Sequence, residues 1–389
     1  MEMKSLDIFC EVIDNYGDIG VVYRIAKEFK HIYGENLQVR VILNRLEEFK
    51  KINGKCRDAE YQEIEGIIYC TNDYVVKNIY TFSTANVIIE AFGCNIPKEY
   101  LEVAYGASEL LINLEYLSAE EWIEDFHLQQ SFLGAVKLKK YFFMPGFTEK
   151  TGGIIVDSLF LERKRKVQEN PKKYLEKYLK EYEVDYNNKI VGTIFSYEKN
   201  FESLLKDLIN FDQETLLLLM GEKTHKSFNE ILKKIPHEKF GNIYRYGKID
   251  ILFMEFLNQE SYEEIINAVD FNFVRGEDSF IRAVLTGKPF LWHAYLQEDY
   301  AHMDKVEGFI KKQTEYLENR NYDQILNGQN KLLRDYNFRK ENNLEVSKES
   351  YLDFFINLKE IENMYLEYSD FLILKCNLIN KLNNFIINN

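Results

Sequence analysis

Cysteine is scarce in this chain of 389 residues: five are present, an odd number, and no two stand in a Cys-x-x-Cys pair. That leaves no disulfide framework and no structural zinc finger, so the thiols read as reduced and mostly packed. Long apolar runs are missing too. The longest, such as 215–220, fall far short of the ~20 residues that span a bilayer. Positive charge is in deficit, with 49 Lys and Arg against 63 Asp and Glu and a formal net charge of −14. A field of that sign disfavours general binding to nucleic acid, which needs cations to displace counterions from phosphate. It serves solubility, and secondarily favours encounter with a basic partner. The opening residues, Met1-Glu2-Met3-Lys4, run straight into an acidic, strand-like segment with no signal-peptide core. A cytoplasmic location is expected. Several chemical signatures are also lacking: GxGxxG, a Walker A loop, GxSxG, HExxH, any Asp-x-Asp pair and any His/Cys cluster. Dinucleotide binding, serine hydrolysis and a metal centre are therefore unsupported.

What the chain does have is a repeated alternation of short β-rich runs with helical segments. In the first half the strand candidates are 6–12, 38–43, 87–89 and 110–115, with helices at 21–33 and 45–51. In the second half strands are expected at 189–195, 215–220, 242–246, 253–257, 271–274 and 289–292, separated by helices. Ser118-Ala119-Glu120-Glu121 and Ser261-Tyr262-Glu263-Glu264 carry the capping-box spacing that starts a helix. Two successive β/α halves imply an α/β protein with two doubly wound, Rossmann-like sheets, not one closed barrel. The expected division is a domain over 1–160, a charged connection over 161–188, a second domain over 189–355 and a helical C-terminal segment over 356–389. Ligands of such sheets sit beyond the carboxyl ends of the strands, and the default site is a cleft between the halves.

Two strand-to-helix turns carry the candidate chemistry. Asp14-Asn15-Tyr16-Gly17-Asp18-Ile19-Gly20 follows the first strand. Its glycines permit close backbone approach and positive φ. Asp14 and Asp18 supply two carboxylates, one a candidate general base and the other its partner. The bland alternative is that Asp18 only caps the helix. The second turn is Val274-Arg275-Gly276-Glu277-Asp278-Ser279. There a helix N-terminus and the Arg275 fork suit a diphosphate, while Glu277 and Asp278 suit sugar hydroxyls or the reacting centre. Its bland alternatives are Asp278 or Ser279 as helix caps and Arg275–Glu277 as an ordinary ion pair. Phe195, Tyr197, Phe256, Gln259 and Tyr262 could sandwich a base and read its edge. His293 and His302 read as structural histidines.

The blocks Val12-Ile13-Asp14-Asn15-Tyr16-Gly17-Asp18-Ile19-Gly20-Val21, Leu117-Ser118-Ala119-Glu120-Glu121-Trp122 and Phe143-Met144-Pro145-Gly146-Phe147-Thr148-Glu149-Lys150-Thr151-Gly152-Gly153 together resemble the bacterial protein-arginine rhamnosyltransferase family EarP. Phe195-Ser196-Tyr197-Glu198, Asn272 to Phe280, Gly287-Lys288-Pro289-Phe290 and Trp292-His293 continue the likeness in order along most of the chain. The resemblance implies a GT-B glycosyltransferase: two Rossmann-like domains facing a central cleft, with a C-terminal helix returning to the first. It implies inverting, metal-independent transfer of rhamnose from dTDP-β-L-rhamnose to an arginine of translation elongation factor P. That modification relieves ribosomes stalled on polyproline. Carried over by motif, Asp14, Asp18 and Glu277 are the expected catalytic residues. Asn15, Tyr16, Gly17, Phe195, Tyr197, Gln259, Tyr262, Arg275, Asp278, Ser279 and Tyr295 are the expected substrate contacts. No cofactor, no membrane and no nucleic-acid partner is implied. Where the family often has Pro-Gln, this chain has Asn258-Gln259. Two other readings remain: a GT-B enzyme with a glycan or lipid acceptor, and a non-catalytic nucleotide-sugar-binding protein.

Overall fold

The computed structural model describes residues 2–12, 16–47, 49–338 and 349–389. They divide into two units, one of residues 1–159 with 372–389 and one of residues 160–371.

The first unit is built on an eight-stranded sheet. Its strands are β1 (Ser5–Cys10), β2 (Gln38–Leu43), β3 (Tyr61–Ile64), β4 (Ile67–Thr71), β5 (Val87–Ala91), β6 (Leu110–Leu114), β7 (Gln130–Ser131) and β8 (Lys139–Phe143), in the order β3-β4-β2-β1-β5-β6-β8-β7. The central pairs are parallel, and only β3–β4 and β7–β8 at the edges run antiparallel. Helices cover both faces, so β1 and β6 are buried almost throughout. That is why they are mostly apolar on both faces and do not alternate, with the buried Asp7 and Asn113 as the polar exceptions. The Tyr16–Tyr33 helix packs its Ile19, Val22, Ile25, Ala26 and Phe29 into this core.

The same core takes Leu378, Ile379, Leu382 and Ile386 from the Leu378–Asn388 helix. Asn377 caps that helix by accepting from Asn380 N. Its Lys381 ammonium donates to the carbonyls of Thr148, Glu149 and Thr151 at 3.3, 2.8 and 2.7 Å. Gly153, at φ +82°, lets the backbone pass Cys376, and a Cβ there would stand 2.2 Å from the Cys376 carbonyl oxygen.

The second unit holds a seven-stranded sheet of β9 (Ile190–Ile194), β10 (Thr215–Leu219), β11 (Glu238–Phe240), β12 (Ile243–Tyr246), β13 (Ile249–Phe253), β14 (Phe271–Arg275) and β15 (Phe290–His293). The order is β11-β12-β13-β10-β9-β14-β15, again parallel at the centre. Two parallel-centred, doubly wound sheets are the α/β GT-B plan. The stretch 161–188 packs within this unit: Val167, Leu175, Leu179 and Val184 line its core. The Leu358–Lys375 helix starts in the second unit, and its residues from Leu372 onward belong to the first.

Both capping boxes resolve differently. The Gln259–Ala268 helix starts two residues before Ser261, because Asn258 takes the N-cap and accepts from Ser261 N at 2.9 Å. Ser118 Oγ accepts from Glu120 N, and the Trp122–Phe126 helix has no side-chain cap. No helix among the described residues is long and apolar enough to cross a membrane.

Candidate functional site

In the first sheet, the chain leaves β1 toward β2 on one side and returns to β5 on the other. The point between β1 and β5 is the topological switch, where open α/β sheets bind ligands beyond the strand ends. Asp14 and Asn15 belong to this turn but lie outside the described residues, and so does the side chain of Tyr16. Asp18 sits in the first turn of the Tyr16–Tyr33 helix, inside it and not at its cap. There a carboxylate also faces the positive end of the helix dipole. Gly17 and Gly20 are helical as well, so what Gly17 contributes is open space: an added Cβ would meet no atom within 4 Å.

Two residues that the motifs alone did not single out hold this turn. Tyr116 stacks on Phe92, with ring centroids 4.4 Å apart, and its hydroxyl donates to Asp18 Oδ2 at 3.3 Å. Asn44, just after β2, accepts from Val12 N at 2.9 Å and donates to Val12 O at 3.1 Å, replacing ladder bonds where β1 ends. Burial first, and then the Asp18 charge, push the Cys10 thiol far above its ordinary value. It is a packed thiol, not a nucleophile.

In the second sheet the switch falls between β9 and β14. Phe195-Ser196-Tyr197 follows β9, and Arg275 ends β14. The Arg275 guanidinium lies over both rings, 4.5 Å from the Phe195 centroid and 5.0 Å from that of Tyr197. Its Nη1 donates to Ser196 O at 3.4 Å. Among the described residues it has no carboxylate partner; Glu277 pairs instead with Lys305 at 3.1 Å. The Arg275–Glu277 ion pair is therefore not what this turn is for. Burial depresses the Arg275 pKa, and the phenols of Tyr197 and Tyr262 pull it back up; a guanidinium so placed stays cationic.

The helix that follows, Glu277–Thr286, is capped by Gly276 at φ +68° with no side-chain acceptor. Neither Asp278 nor Ser279 is its cap: both lie in the first turn. The Asp278 carboxylate is 3.8 Å from the buried Arg282 guanidinium. The neighbouring Glu222–Leu232 helix starts the same way, from Gly221 at φ +78° without a side-chain cap. Glycine at these positions leaves first-turn N–H groups unclaimed by side chains and lets a ligand approach the backbone.

Phe195 meets Tyr262 edge to face at 5.9 Å, and Tyr197 meets Tyr295 at 5.6 Å. Gln259 opens the helix that carries Tyr262. Burial raises the Tyr197 phenol pKa, against the pull of Arg275. One guanidinium, four aromatic rings and a glycine-capped helix start therefore gather at the carboxyl end of β9 and β14. Phe256 is apart from this set and 90% exposed. His302 is buried and bonds Asn337 O; His293 is treated below. No group of three or more His, Cys, Asp and Glu that could hold a metal occurs among the described residues.

Comparison with known proteins agrees with this layout. A family described as "Elongation-Factor P (EF-P) rhamnosyltransferase EarP" matches residues 6–387. The protein-arginine rhamnosyltransferase of Pseudomonas aeruginosa is 33% identical over 317 residues, covering 79% of this chain and 81% of its own. That of Pseudomonas putida is 34% identical over 309 residues, covering 78% and 80%. A solved structure described as "Structural basis for EarP-mediated arginine glycosylation of translation elongation factor EF-P" superposes with a TM-score of 0.62 at 22% identity. It covers 99% of both chains and shares this fold. With a family match spanning nearly all its residues, the chain belongs to the EF-P rhamnosyltransferase family EarP.

Proposed function

We propose that the protein is an inverting glycosyltransferase that moves rhamnose from dTDP-β-L-rhamnose to an arginine side chain of translation elongation factor P in the cytoplasm. By that modification it supports relief of ribosomes stalled on polyproline. The observation that carries this reading is Arg275, held over Phe195 and Tyr197 beside the glycine-capped helix at the switch of the second sheet. It suits a nucleoside diphosphate, with rings for the base and cation and helix start for the phosphates. The family and the curated relatives, named for arginine rhamnosylation, supply the sugar and the acceptor.

Inversion takes one displacement. The guanidinium nitrogen forms the N–C1 bond, the C1–O bond to the diphosphate breaks, and its electron pair leaves with dTDP. Arg275 and the Glu277–Thr286 helix start receive that charge without a metal ion. Ser279, in the first turn of that helix, bonds a phosphate, while Asp278 contacts sugar hydroxyls and Glu277 supports the reacting centre. Asp14 and Asp18 hold the acceptor. A guanidinium with pKa above 12 cannot yield its proton to a carboxylate near 4 in advance, since the gap is on the order of 10 kcal/mol. Proton transfer to Asp18 therefore accompanies or follows N–C bond formation. Beforehand the paired carboxylates draw the positive charge onto the other nitrogens and free one lone pair. Positioning supplies much of the remaining rate.

Intact-mass analysis of elongation factor P, after incubation with enzyme and dTDP-rhamnose, tests the proposal. A single deoxyhexose increment mapped to one arginine is expected. No increment, with turnover of a glycan or lipid acceptor instead, would overturn it.

A further inference from the structure

Behind the Arg275 site lies a buried group that the mechanism does not use. His293, the last residue of β15, is fully buried. Its Nδ1 is 2.7 Å from Ser196 Oγ, which is in turn 3.1 Å from the Tyr336 hydroxyl. The imidazole packs edge to face against Tyr197 and Tyr336, each 5.3 Å away. Its backbone oxygen accepts from Gly276 N at 3.3 Å, while the preceding Trp292 donates its indole N–H to Gly276 O at 2.9 Å. Ser196 is held on its other side as well. Its N–H donates to Thr224 Oγ1 at 2.8 Å, and its carbonyl accepts from both Thr224 Oγ1 and Arg275 Nη1.

These bonds converge on the two segments that flank Arg275. We propose that the Ser196–His293 pair is a positioning device for donor binding: it ties the loop after β9 to the start of the Glu277–Thr286 helix, and so fixes Arg275 between its two rings. Serine is the residue that fits between Phe195 and Tyr197. Its side chain is fully buried while Phe195 and Tyr197 on either side are half-buried, and a hydroxyl can bond an imidazole and a phenol together. Both side chains are fully buried, so the pair acts through Tyr197, Arg275 and Gly276. In a site whose polar groups are buried, a loosened support is felt as weaker binding of the anion, not as slower chemistry once the anion is bound.

The proposal rests on the nucleoside-diphosphate reading of this site, and the test separates the two. Titration calorimetry with dTDP, and transfer kinetics with dTDP-β-L-rhamnose, are run on the full chain and on Ser196→Ala, His293→Asn and His293→Ala. Asparagine places a polar atom near the lost Nδ1; alanine does not, and Ser196→Ala removes one hydroxyl with little change of volume. The expected result for Ser196→Ala and His293→Ala is a Kd for dTDP raised roughly tenfold, as for one lost buried hydrogen bond. The donor KM should rise in step with kcat nearly unchanged, and His293→Asn should recover part of the affinity. Folded Ser196→Ala and His293→Asn that bind dTDP as the unaltered chain does would overturn the positioning role alone. An unaltered chain that fails to bind dTDP would overturn the diphosphate reading, and the proposal with it.

Discussion

In the proposed reaction Asp18 serves the acceptor and Arg275 the donor, and each can be removed without the other. Asp18→Asn keeps the shape of the side chain and its place in the first helical turn but loses the charge that is proposed to polarise the guanidinium. Transfer to elongation factor P should fall at least about a hundredfold, with the Kd for dTDP unchanged by calorimetry. Near-native turnover would remove Asp18 from the role of base. Arg275→Ala should do the reverse. It removes the cation above Phe195 and Tyr197, and dTDP affinity should drop roughly 10- to 100-fold; unchanged affinity would refute the diphosphate role. These residue types were legible in the sequence because short strand-to-helix turns expose chemistry in one contiguous block. Their supports were not. Tyr116 reaches Asp18 from 98 residues away in the chain, and His293 reaches Ser196 across 97. Only the folded sheet brings such pairs together.

The same divide holds for elements. Buried parallel strands such as β2, β10 and β14 follow from short runs that are mostly apolar, Arg40 and Asn272 standing inside two of them, and the expected ranges lie within a residue or so of the observed ones. The expected strand at 253–257 is displaced: β13 is Ile249–Phe253, with the buried Asp250 inside it. Asp250 interrupts the apolar pattern, yet it is held by Arg245 at 2.6 Å and by Lys189. The short edge strands β3, β7 and β11 carry polar, largely exposed residues and leave no periodic signal at all. Where elements meet closely, glycine marks the place. Gly153→Ala would put a Cβ 2.2 Å from the Cys376 carbonyl at a φ of +82°. It should cost about 2–4 kcal/mol, measured by denaturant unfolding, as the strap into the Leu378–Asn388 helix is forced away. A cost below 1 kcal/mol would mean the two segments separate freely.

For the molecule as a whole, stability should depend on pH through His127. Burial first, and then the nearby Lys381 ammonium, lower its pKa to about 4. Its Nδ1 accepts from Met144 N at 3.2 Å, a bond that only the neutral ring makes. The unfolded chain takes up this proton near pH 6.5 and the folded one only near 4. The stabilisation is therefore complete above about pH 6.5 and is lost as pH falls toward 4. Thermal unfolding should show a steeper loss between those values for the natural chain than for His127→Gln. Parallel curves would exclude His127 as the cause.

The placement of the Leu378–Asn388 helix also sets an order of assembly. The second unit is one continuous stretch of chain, whereas the first lacks four of its core side chains until that helix has been made. On the ribosome, where domains fold as their residues emerge, the half that comes second in sequence is the first to have its full set of residues. The half carrying Asp18 waits for a segment synthesised after it. A newly made chain thus acquires the half that carries Arg275 before the half that carries Asp18 can close its core.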